Sequence, residues 1–223
     1  MDGVPHWLQG LARVSLAAGG LSALVIAGDI VRGRRQPMAI MNVVWPVTGL
    51  YGGLLGLWAY WRIGRRVADP EGRADRPFWQ RVLVSTSHCG AGCTLGDIAG
   101  EWTLAAGALV WFGSTLATSY AVDFAYAYGF GILFQYVAIV PMRGLRPWQG
   151  IVEAVKADTL SLVAWQLGMY GWMAVTQLWL FQPRLEAHQP LFWFMMQVAM
   201  LVGFTTSYPA NVFLVRRGIK KAM

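Results

Sequence analysis

The sequence predicts an all-α fold, a polytopic bundle of about six transmembrane helices in one domain, residues 1–223. Three observations predict it. Charged residues make up 13% of the chain against 56% hydrophobic ones, with a mean hydropathy of +0.44. A soluble domain carries about 25% charged residues, so polar groups cannot cover a globular surface here. That excludes an ordinary soluble enzyme and a disordered chain, and leaves lipid as the solvent for the apolar surface. Apolar residues also gather into six stretches, near 8–31, 38–60, 87–112, 116–140, 159–181 and 191–215. Each reaches across about 30 Å of hydrocarbon at 1.5 Å per residue. Finally, Trp58, Trp61, Trp79, Trp148, Trp179 and Trp193 fall near stretch ends, where amphipathic rings anchor at the membrane interface.

In chain order, stretch 8–31 reads as a span rather than a signal peptide. It is long, has no basic head, and is followed by Arg32–Arg35 without a small-residue cleavage site. Stretch 38–60 carries overlapping small pairs, Gly49/Gly53 and Gly52/Gly56, that permit close helix contact. Pro46 lies inside it and Pro209 inside the last stretch, so both should be kinked. The polar segment from Ala68 to Trp79 reads as a loop leading into a short amphipathic piece.

The net charge of +7 reflects cytoplasmic loops, not nucleic-acid binding. With the N-terminus inside, most Lys and Arg of the second loop, the fourth loop and the tail also fall inside. The expectation is therefore that both termini are cytoplasmic, with Arg32–Arg35 as the exception. The two cysteines cannot make a disulfide framework.

Chemistry concentrates between Ser87 and Trp102, SHCGAGCTLGDIAGEW. Cys89, Cys93, Asp97 and Glu101 recur every four residues and share one helix face. Gly92, Gly96 and Gly100 form a second stripe beside it, which lets a neighbouring helix approach and places the polar stripe in a seam. A carboxylate near the bilayer centre costs at least ~2.5 kcal/mol on insertion scales, so this seam needs a polar cavity, a cation or protons. Thiolate and imidazole prefer copper, zinc or iron, and carboxylates are harder ligands. His88, Cys89 and Cys93 are thus expected to capture a metal at the cytoplasmic mouth, with Asp97 and Glu101 lining the path and Asp123 contributing from the next helix. Met38, Met41, Asn42, Gln135, Gln166, Met169 and Met173 are further candidate ligands, and the pair Met196/Met200 has the same helical spacing. Taken singly, the cysteines and methionines also read as core packing. Asp29 reads as an interfacial partner of Arg32. Glu153, Lys156 and Asp158 read as solvated or mutually paired, and His6 and His188 as solvated.

The motif SHCGAGCTLGDIAGEW resembles that of a domain-of-unknown-function family of small prokaryotic membrane proteins. Met38 to Tyr60, Lys156 to Met173 and Thr206 to Met223 resemble further blocks of it. The resemblance implies a prokaryotic cytoplasmic membrane location and an association with metal handling, copper in particular. It carries no activity or catalytic residues over.

The expected function is binding and transport of a soft transition-metal cation, copper or zinc, rather than catalysis. The expected partners are the lipid bilayer and the metal ion, with a homo-oligomer or an accessory protein as further options. Three rivals remain: a thiol–disulfide oxidoreductase, a metal-delivery or assembly factor, and a proton channel using Asp97, Glu101 and Asp123. The oxidoreductase must close Cβ atoms about 5–6 Å apart at i, i+4 to the ~3.8 Å of a disulfide.

Overall fold

A computed structural model describes residues 4–68, 76–107 and 113–220. Among them, the structure is helical with no strand. The six long helices are α1 (His6–Val31), α2 (Met41–Ala59), α3 (Phe78–Gly107), α4 (Thr115–Arg143), α5 (Pro147–Val175) and α6 (Pro190–Arg216). A π-helical turn, Tyr60–Gly64, and a last turn, Arg65–Ala68, extend α2, and a π-helical turn, Thr176–Leu180, extends α5. The punctuation follows the sequence. The Ser114 hydroxyl accepts from Ala117 N to start α4, and left-handed Gly144 ends it. Pro147 and Pro190, which need no amide partner, open α5 and α6.

Helices α1, α4 and α6 are long and apolar enough to cross a membrane. Leu21, Leu24, Leu54 and Leu167 are exposed on the outside of the bundle, as are all the end tryptophans singled out above except the half-buried Trp193. The chain therefore has the make-up of a membrane protein, inside out relative to a soluble bundle.

Consecutive helices pack as neighbours, and α3 lies at the centre, touching α2, α4, α5 and α6. Its middle is accordingly buried all round, from Val84 to Thr94. The glycine stripe makes the α3–α4 contact possible. A Cβ on Gly92 would press on the Gly131 backbone, one on Gly96 would overlap the Ala127 backbone, and one on Gly100 would occupy the place of the Asp123 carboxylate. Helix α3 starts at Phe78 and not near 87, because the amphipathic piece continues into it without a break. The expected end of that span, 108–112, lies outside the described residues.

The second helix departs from a straight rod. Gly53 has φ 53° and ψ −131°, and the chain reverses there. Gly56 packs back on Thr48 and Gly49. The Tyr60 ring meets Trp45 edge-on at 5.7 Å, and a Cβ on Gly64 would meet the same Trp45 ring. In a straight helix, residues 45 and 64 would stand about 28 Å apart at 1.5 Å per residue. Both feet of this hairpin therefore lie at one end of the bundle. There the Tyr60 hydroxyl donates to Asp29 at 2.8 Å, Arg65 pairs with Asp29 at 3.2 Å, and Gln36 Nε2 donates to Gly64 O at 3.0 Å. The Asp29 partner is thus Arg65, not Arg32. Only glycine adopts the Gly53 conformation without strain, so that residue is a turn and not one half of a small-residue contact pair. Gly49 does fill the contact role, against Ser22 and Ala23 of α1.

The hairpin changes how the first and last described helices relate to one another. Ser15 near the start of α1 bonds Gln197 near the start of α6 at 2.9 Å, so those helices run parallel. The start of α1 and the end of α6 consequently lie at opposite ends of the bundle. The Arg32–Arg35 cluster then joins the end that carries Arg62, Arg65, Arg143, Arg146, Arg216 and Arg217, while Arg184 sits at the other. Arg32, Arg34 and Arg35 therefore stand with the other arginines and not apart from them.

Candidate functional site

Two polar basins lie along α3, separated by about two helical turns. The outer basin is at the end opposite the arginines. Asp97 is fully buried, Asp123 is 2% exposed and Glu101 is half-buried. Gln166 Nε2 on α5 donates to Asp97 Oδ1 at 3.2 Å. The Ser119 hydroxyl on α4 lies between two carboxylates, 2.9 Å from Glu101 Oε1 and 3.2 Å from Asp123 Oδ2. Tyr120 and Tyr170 close the side. Their rings stack at 4.3 Å, and each hydroxyl donates to the other residue's carbonyl at 3.0 Å. A cavity of about 20 Å³ beside Glu101 and Asp123 is also lined by Met169, Met173 and Met196. It shares Glu101, Ser119 and Gln177 with an open cleft of about 690 Å³ that reaches Arg184 and His188. Among the described residues, no basic side chain forms an ion pair with any of the three carboxylates.

The inner basin surrounds Cys89. Both thiols are free and buried, and they face one another across one helical turn. Ser161 Oγ on α5 lies 3.5 Å from Cys89 Sγ and donates to Asp158 Oδ1 at 3.1 Å. Lys220 Nζ, from the segment after α6, reaches Asp158 Oδ1 at 3.0 Å and Ser161 Oγ at 3.4 Å. Both members of this ion pair have fully buried side chains. Ser207 of α6 donates to Ser161 O at 2.8 Å and is backed by Asn211. His88 is fully buried, with neither ring nitrogen hydrogen-bonded, and packs edge-on to Phe134. Asp158 Oδ2, Ser87 Oγ and Gln135 Oε1 also lack hydrogen-bond partners. Trp165 lies over Gly90, and its ring meets Tyr51 of the hairpin tip edge-on at 5.7 Å.

Cys89, Cys93 and Asp97 thus lie inside the bundle on α3, with Glu101 half-buried, while Asp123 comes in from α4 through the gap left by Gly100. His88 stands beside Cys89 but not at a surface mouth, because α3 begins a further nine residues, about 14 Å, before the expected start. Met169, Met173 and Gln166 join the outer basin. Asn42 does not approach either basin through its amide, which bonds Ala39 O and Gln36 N within its own loop. Asp158, expected to pair with its chain neighbours, is buried in the inner basin, while Glu153 pairs with Arg143 at 2.9 Å and Lys156 at 3.6 Å. Lys220, read only as a topology signal, is the buried partner of Asp158. His188 pairs with Glu186 at 3.2 Å at the rim of the cleft.

Chemically, the outer basin offers three carboxylates and three thioethers, and the inner one offers thiols, an imidazole and a carboxylate already neutralised. Among the described residues, no three His, Cys, Asp or Glu side chains converge closely enough to hold a metal ion. A family model described as Domain of unknown function (DUF4396) matches residues 78–220. No curated protein and no solved structure matches the chain. The match covers more than half of the chain and contains every residue of both basins apart from the Tyr51 tip; the chain belongs to that family.

Proposed function

We propose that this family member moves a soft transition-metal cation, copper or zinc, along α3 across the cytoplasmic membrane of a prokaryote. One observation carries the reading. Asp97, Glu101 and Asp123 form no ion pair with a basic side chain among the described residues; Glu101 and Asp123 line a small cavity with three methionines, and Glu101 also lines the open cleft beside it. Buried carboxylates without a cation are costly, and thioethers add selectivity for a soft cation. The thiols of Cys93 and Cys89 continue the sequence of donors toward the inner basin. Sites with few converging ligands suit a cargo that is passed on rather than held.

In this reading the arginine-rich end faces the cytoplasm. Helix α1 then begins outside, the cleft opens outside, and the α2 hairpin enters from within and returns. Tyr51 just before the turn is buried, whereas Leu54 and Leu55 just after it are exposed on the outside of the bundle.

The test is zinc and Cu(I) uptake by reconstituted vesicles with an indicator inside. Wild-type flux should fall at least about tenfold, roughly 1.4 kcal/mol of lost stabilisation, in Glu101→Gln/Asp123→Asn and in Cys89→Ser/Cys93→Ser. Unchanged metal flux in both variants overturns the proposal. A proton pathway through the same carboxylates is the second reading, favoured by the shared Ser119 hydroxyl. It is identified by acidification that needs Glu101 and Asp123 and ignores loss of both cysteines.

A further inference from the structure

The first turn of α3 and the last turn of α6 meet at the arginine-rich end, and we infer that this junction binds an anionic phospholipid. The headgroup phosphate sits against the guanidiniums of Arg81 and Arg216, and the acyl chains follow the apolar flank of the two helices. The inference needs only the membrane make-up of the chain and does not rest on the transport reading.

Two like charges are gathered on one ring. The Arg81 guanidinium lies 5.9 Å from the centre of the Phe78 ring, and that of Arg216 lies 5.5 Å from the centre of the same ring. A cation–π contact holds a guanidinium in place but does not cancel its charge. Both arginines are exposed. Among the described residues neither forms an ion pair, whereas Arg65 and Arg143 at the same end have Asp29 and Glu153. Helix α3 also has no acidic residue in its first turn. The repulsion between the two charges is thus left to be relieved from outside the chain. A phosphate is suited to do so, because a guanidinium meets its oxygens through two parallel hydrogen bonds. The junction is fixed independently: the Tyr208 hydroxyl of α6 donates to Trp79 O of α3 at 3.3 Å. Beside the charges the surface is aromatic and open, with Trp79 and Phe213 both exposed. A free phosphate ion would use the charges alone. A phospholipid uses the charges and the apolar surface together, as headgroups do in basic pockets between membrane helices.

The probe is phosphatidylglycerol, added to purified full-length protein in detergent, with retained lipid read by mass spectrometry of the intact protein. Wild type should hold it at least about tenfold more tightly than Arg81→Gln/Arg216→Gln does, and more tightly than it holds phosphatidylcholine. Arg32→Gln/Arg62→Gln removes as much charge from the same end and should behave as wild type. Phe78→Leu keeps an apolar side chain but releases both guanidiniums, and should weaken retention about two- to fivefold. A second measurement needs no variant. Phosphatidylglycerol, but not phosphatidylcholine, should protect Arg81 and Arg216 of the wild-type protein from an arginine-specific dicarbonyl reagent, read by peptide mass spectrometry. Equal retention by wild type and folded Arg81→Gln/Arg216→Gln overturns the inference. So does an equal loss in Arg32→Gln/Arg62→Gln, which assigns binding to the overall charge of that end. Equal protection by inorganic phosphate at the same concentration assigns the site to a free anion and overturns it as well.

Discussion

The two basins hold buried carboxylates on opposite terms. Asp158 in the inner basin has a lysine fixed on it at 3.0 Å. Asp97, Glu101 and Asp123 in the outer basin have a glutamine, a serine and one another. Both are surrounded by the same helices, α3 and α5, so the difference is not one of depth alone. A carboxylate with a tethered cation is a structural element unless the tether lets go. One without relies on the hydrogen bonds of its neighbours. The cleft opens on the second and not on the first.

That contrast can be broken by substitution. Lys220→Met should lower stability by about 3–5 kcal/mol, the usual cost of stranding one member of a buried pair. Asp158→Asn in the same chain should recover most of it, read from thermal unfolding in detergent. Gly53→Ala should cost about 1–3 kcal/mol, because alanine is strained at that φ and ψ. It should move Tyr51 away from the Trp165 ring, read as a change in tryptophan fluorescence alongside the loss of thermal stability. Ser119→Ala removes the hydroxyl between Glu101 and Asp123 and should cost about 0.5–1.5 kcal/mol, with vesicle uptake reduced more than stability. Arg143→Met, which breaks a partly exposed pair with Glu153 remote from both basins, should stay within about 1 kcal/mol and leave uptake unchanged. A large effect of Arg143→Met on uptake would blur the distinction between basin and surface.

Much of the central helix was legible in the sequence. The i, i+4 recurrence of Cys89, Cys93, Asp97 and Glu101 fixes a common face whatever surrounds it, and the parallel glycine stripe states which face a neighbour must approach. The packing of Gly96 on Ala127 and of Gly100 on Asp123 follows directly. Asp158 and Lys220 were not legible. They are 62 residues apart, neither lies in a spaced motif, and a lysine near the end of a membrane chain has the composition of an orientation signal. The reversal at Gly53 was hidden for a related reason. Glycine pairs at i+4 serve both tight helix contacts and breaks, and hydropathy does not distinguish a rod from a hairpin of equal length. One signal did point to it: Arg32, Arg34 and Arg35 stood on the wrong side of an otherwise consistent charge pattern, and the hairpin removes that conflict.

The hairpin has a mechanical consequence. Its feet are tied at Asp29, Arg65 and Gln36, and its tip is held to two other helices: Gln197 Nε2 of α6 donates to Leu50 O at 2.9 Å, and Tyr51 meets the Trp165 ring of α5. The two arms thus bridge the arginine-bearing end of the molecule and the middle of α5 and α6, and a displacement of either foot is passed through Leu50 and Tyr51 to the ring that lies over Gly90.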